Sequence, residues 1–139
     1  MKNSTSILLF LLFFFSMSSC NFNSAHIDID DVKMCTIITD NQCLSDHPVF
    51  SPSTEEIYVS CQLKNAPENT NIEFSWYYLG KQKIKIDAVT LNSGNKLGTL
   101  DLQSSLSRPN NGWPAGEYEV SIKILDTEKE PVIKKFNVK

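Results

Sequence analysis

Cys35, Cys43, His47 and Cys61 lie close together in the chain and are the side chains best equipped for chemistry. Thiolate and imidazole are zinc ligands, and four such groups would complete a tetrahedral site. The spacing argues against it, because the tight Cys-x-x-Cys pairs that bring two sulfurs to one ion are missing. A disulfide is the simpler use. Cys35 and Cys43 flank a polar turn and are the pair best placed to close a short loop. A Cys35–Cys61 bridge and no bridge at all are the alternatives, because connectivity does not follow from sequence. Cys61 alternates with Val59 and Leu63 on an apolar strand face, where a thiol acts as a small core residue.

Catalysis finds little to use. The two histidines, His26 and His47, fall in segments read as tether or loop. Gly-x-Ser-x-Gly, a phosphate-cradling glycine loop and His-Glu-x-x-His are all missing from the sequence. The acid pairs Glu55–Glu56 and Glu117/Glu119 read as solvated strand faces, since working carboxylates must converge on one cleft. The run from His26 to Asp31 lacks the glycine and glutamate of a calcium loop and reads as solvated tether. The expectation is a protein that is not an enzyme and holds neither cofactor nor metal. Exposed aromatics remain. Tyr58 and Tyr77 lie on the polar phases of successive strands, and in one sheet they would form a surface for a sugar or a protein.

The chain begins with Lys2 and an unbroken apolar run from Ile7 to Phe15, nine residues long. As a helix that run spans roughly 14 Å, against a bilayer core of about 30 Å. It is too short to cross, and a positive start with small residues behind it makes a helical signal peptide. Met17-Ser18-Ser19-Cys20 resembles the bacterial lipobox: an aliphatic residue, two small residues, then cysteine. The resemblance implies a thioether-linked diacylglycerol on Cys20, cleavage before it and acylation of the new amine. Each buried methylene contributes about 0.8 kcal/mol, so two or three chains hold firmly where one does not. An ordinary secretory signal cut nearby is the alternative. Asn21 stands where an aspartate favours inner-membrane retention in Gram-negative lipoproteins, so the resemblance favours the outer membrane.

We therefore expect a signal peptide over 1–19, a lipidated cysteine and short polar tether over 20–31, and one domain over 32–139. The last is long enough for a single hydrophobic core. Losing Lys2 with the leader takes the net charge from −3 to −4, and no basic patch stands out, which disfavours nucleic acid as a partner.

Strands must position everything else. Ile57, Val59, Cys61 and Leu63 alternate with polar neighbours, as do Ile72, Phe74 and Trp76, and Tyr118, Val120, Ile122 and Ile124. Turn residues separate these runs, among them Asn92-Ser93-Gly94-Asn95 and Arg108 to Gly112. The pattern predicts seven strands near 32–39, 56–64, 71–79, 83–90, 97–106, 116–125 and 132–138, packed as two sheets.

Trp113 to Ile124, WPAGEYEVSIKI, followed by KKFNV, resembles the end of immunoglobulin-like or fibronectin-type-III-like domains of bacterial surface proteins. The stretch from Phe50 to Gly80, with its strand carrying Trp76-Tyr77-Tyr78, is similar to the same group. The resemblance implies an all-β, immunoglobulin-like sandwich. It gives Trp76 a core role between the sheets, and it makes Tyr118, just after a glycine turn, the tyrosine corner. Such motifs specify fold rather than activity. The expected function is a lipid-anchored envelope protein, non-catalytic, that binds or supports an envelope protein or polysaccharide. The alternative is an exported carbohydrate-binding or enzyme-accessory module working through Tyr58 and Tyr77.

Overall fold

The computed structural model describes residues 26–139, so the leader and Cys20 lie outside the described residues. Eight strands follow in order: β1 (Asp28–Cys35), β2 (Val49–Phe50), β3 (Glu56–Lys64), β4 (Asn71–Leu79), β5 (Lys83–Asn92), β6 (Leu100–Ser107), β7 (Gly116–Ile124) and β8 (Val132–Val138). They form a three-stranded sheet, β1-β3-β6, and a five-stranded sheet, β2-β8-β7-β4-β5. All pairings are antiparallel except β2 with β8. The protein is an all-β sandwich with the immunoglobulin-like arrangement, in which the third, sixth and seventh long strands share a sheet and an extra strand borders it.

Period-two alternation fixes which side chains enter the core. Ile57, Val59, Cys61 and Leu63 of β3 meet Ile72, Phe74 and Trp76 of β4 and Val120 and Ile122 of β7 in one buried cluster. An aromatic group closes one end. The Tyr118 ring stacks on Phe136 at 5.1 Å and packs against Tyr78 at 4.9 Å and Trp113 at 6.1 Å. Gly116 opens β7 with φ at 142°, and a Cβ there would come within 3.1 Å of the Tyr78 ring. Only glycine fits both the backbone and the space.

Three expectations need correction. The first strand starts at Asp28, within the stretch read as tether: Asp28, Ile29 and Asp30 are ladder-paired with β3, and Asp31 sits at the register break that follows. Ile29 inserts opposite Leu63 while the aspartates beside it face water. That strand ends at Cys35 rather than residue 39, because the chain turns away into a disulfide-closed loop. Finally, an eighth strand, β2, arises where Val49 and Phe50 join β8, too short to leave an alternating signature.

Candidate functional site

Cys35 and Cys43 are bonded, with Cα atoms 5.6 Å apart. Cys35 pairs with Tyr58, on the outer phase of β3, so the bridge lies outside the core. It pins residues 36–42 over the smaller sheet. There the Cys43 N–H donates to the buried Ser60 hydroxyl at 2.9 Å, and Gln42 reaches the Asp101 carboxylate. Cys61 is a free thiol buried in the core, and burial, helped by the nearby Asp101 charge, pushes it up to about 12. Such a thiol is not a nucleophile near neutral pH. With two sulfurs bonded to each other and the third enclosed, the four donors considered for zinc do not assemble. Among the described residues no three metal-ligating side chains converge.

Tyr58 and Tyr77 are not brought together. Tyr58 stands on β3 in the three-stranded sheet, and Tyr77 on β4 in the five-stranded one. Both occupy outer phases, so they look away from each other on opposite faces of the sandwich. β3 and β4 are consecutive in sequence, but the chain crosses between layers from one to the other. No shared aromatic platform results.

Tyr77 has a different neighbourhood. The Lys83 ammonium sits 4.3 Å from its ring centroid and is ion-paired with Glu119 across β4. The hydrogen bond to that carboxylate lifts the Lys83 amine above its usual range. Glu119 was expected on a solvated face, yet it is only 6% exposed, covered by the lysine. Glu117 stays exposed as expected.

Trp76 and Tyr118 are both buried. The Trp76 indole donates to the Ser104 hydroxyl at 3.2 Å, and the Tyr118 hydroxyl donates to the Pro114 carbonyl at 2.6 Å, bonding back to backbone four residues upstream. That is the tyrosine-corner geometry. Ser104 lies in a segment whose apolar alternation it interrupts, a signal that could have flagged a buried polar partner.

Two features escaped the sequence reading. Asp46 bridges the layers, accepting the Met34 N–H at 2.9 Å and pairing with Lys134 of β8. Ser45 and His47 share a hydrogen bond of 2.8 Å beside an apolar cleft of about 330 Å³ lined by Ile37, Leu44 and Val49. A working serine–histidine pair needs a third group to orient the ring. Here Asp46 is held by Met34 and Lys134, and among the described residues no carboxylate hydrogen-bonds His47. The arrangement offers surfaces for contact rather than an assembled nucleophile and base.

Compared with known proteins, the chain matches no family model, and no curated protein is similar to it in sequence.

Proposed function

We propose that the chain is a lipid-anchored protein of the bacterial envelope whose sandwich, of the immunoglobulin-like or fibronectin-type-III-like kind, binds or supports another envelope component without catalysis. One observation carries the reading. The protein has four cysteines, and the sandwich accounts for three of them, two in a disulfide and one in the core. Cys20 is left available for acylation, directly behind the apolar leader. The disulfide fits an oxidising, exported compartment.

The anchor also sets an orientation. Cys20 precedes β1 by eight residues, a reach of about 28 Å when extended. Asp28 pairs with Lys64, so the chain enters the sandwich at the end carrying the loops at 65–70, 93–99 and 125–131. Those loops would lie nearest the membrane, and the loops at 51–55 and 108–115, joined to each other by backbone hydrogen bonds, would project away from it. Confinement to a surface raises local concentration, so weak contacts suffice.

The test is Cys20→Ser in cells, followed by membrane fractionation and intact-mass measurement. The native protein should sediment with membranes and carry the mass of its acyl chains, while the variant should be folded and released. Membrane retention of the variant, or a native mass without lipid, would overturn the anchor.

A further inference from the structure

We propose that the free edge of β6 accepts one extended strand from another polypeptide, completing the smaller sheet over the uncovered face of β5. The two sheets are unequal, and the excess lies on one side. Trp76 of β4 hydrogen-bonds Ser104 of β6, and β1 lies against β8, so three strands cover β8, β7 and β4. β5 projects beyond this cover, exposed along nearly its whole length. Apart from Asp87, its core-side residues are nonetheless apolar. Ile84 is cross-strand from Tyr78, Val89 from Phe74 and Leu91 from Ile72, yet Ile84 is 55% and Val89 39% exposed. A strand added to β6 would lie directly above them.

The β6 edge is suited to this. It pairs with β3 over eight residues without a register shift, and its other side has no backbone partner among the described residues. The remaining edges are blocked or short. β5 carries an extra residue at Ile86 and caps its own Ala88 N–H with the Asp87 carboxylate at 2.9 Å. β1 breaks register around Asp31, whose φ is positive, and β2 has two residues. Bulges and charges of this kind are how proteins prevent edge pairing, and β6 has neither a bulge nor a lysine. A groove of about 510 Å³ runs beside its start, lined by Leu100, Asp101, Leu102 and the segment from Asn92 to Lys96.

The overhang selects the occupant. A second copy joined edge to edge through β6 would drive its own projecting β5 into the β4 of the first, so a twofold dimer is excluded there. The ledge is one strand wide and takes a lone extended segment. Its inward residues should be apolar to meet Ile84, Val89 and Leu91, with a basic one passing Asp87, which faces the same way as Trp76. Ladder bonds would give affinity and the alternate side chains selectivity. The inference deepens the binding reading above, on which it rests for its setting alone.

The experiment titrates isotopically labelled full-length protein with a synthetic eight-residue peptide. The peptide alternates threonine with valine and carries lysine at one inward position. Amide shifts and slowed hydrogen exchange should appear along β6, with shifts at Val89 and Leu91. Val89→Asp, in protein whose amide spectrum remains that of the folded sandwich, should weaken binding at least tenfold, and glutamate for the peptide lysine should weaken it too. A peptide with proline at two ladder positions should not bind. Equal binding by the proline peptide, shifts confined to β1, β2 or the outer edge of β5, no shift at millimolar peptide, or dimerisation through β6 would each overturn the proposal. Cys20→Ser protein should bind the peptide equally well, so failure of the anchor and failure of strand addition are separately visible.

Discussion

Trp76 and Ser104 face each other from opposite sheets, joined by a hydrogen bond of 3.2 Å in the buried centre of the sandwich. The indole brings a large apolar area and one N–H that must find a partner, and Ser104 supplies it from an otherwise apolar strand phase. Removing either member breaks the match differently. Ser104→Ala leaves the indole N–H buried and unpaired and should cost about 1–3 kcal/mol. Trp76→Ala opens a cavity and should cost about 3–5 kcal/mol, a large share of a small domain's stability. Urea unfolding should show both as lower midpoints at unchanged slope.

Tyr118 gives a second expectation, at the alkaline end. Burial, reinforced by the neighbouring Tyr78, pushes its hydroxyl up to about 12. The folded state therefore prefers the protonated phenol. Its contribution is fully present below pH 10, the usual tyrosine value, and is lost as pH rises from there toward 12. Absorbance titration should show one tyrosine ionising last, and Tyr118→Phe should remove that step. The same change deletes the bond to Pro114 and should lower stability by about 1 kcal/mol. A late step surviving in the variant would contradict the assignment.

What could be read in advance follows from locality. β3, β4, β7 and β8 each bury one face, so their alternation was visible residue by residue, and Trp76 and Tyr118 were placed inward by the same rule. β1 was misplaced because Ile27 and Ile29 are surrounded by acids, and the break at Asp31 interrupts their phase. The tyrosine platform failed for a different reason. Phase tells which side of its own sheet a residue occupies, but the sheet to which a strand belongs is decided by distant partners. Tyr58 and Tyr77 have equivalent phases and opposite destinations. Glu119 was misjudged likewise, since the lysine that covers it comes from another strand.

Thiol counting separates the cysteines in one assay. Native protein should react with none of its thiols, because Cys61 is buried and its pKa is raised to about 12. In denaturant without reductant the acylated protein should show one thiol, from Cys61, and after reduction three. An extra thiol at both stages would mean that Cys20 is free. Replacing Cys35 and Cys43 by alanine should cost about 2–3 kcal/mol, the loop-closure entropy of so short a ring. The loss should be read as a shifted urea midpoint with the sandwich intact.

Asp46 governs the acid side. Burial pushes its carboxyl up, but the Lys134 ammonium and the Met34 amide outweigh that and leave it below its usual 3.8. A depressed carboxyl stabilises the fold above the unfolded value and stops doing so as pH falls through the folded one. The seam between β1 and β8 should therefore hold at neutral pH and weaken below about pH 4. Asp30, fully exposed, moves the same way through its hydrogen bond to Lys64 and adds to the slope. Asp46→Asn keeps the shape but loses the charge. It should lower stability at pH 7 by about 1 kcal/mol, and by less in high salt. At pH 3 the gap between the two proteins should have narrowed, because below 3.8 the contribution of the charge is already being lost. Urea midpoints at the two pH values measure this directly. A gap that persists unchanged at pH 3 would show that Asp46 acts through shape rather than charge.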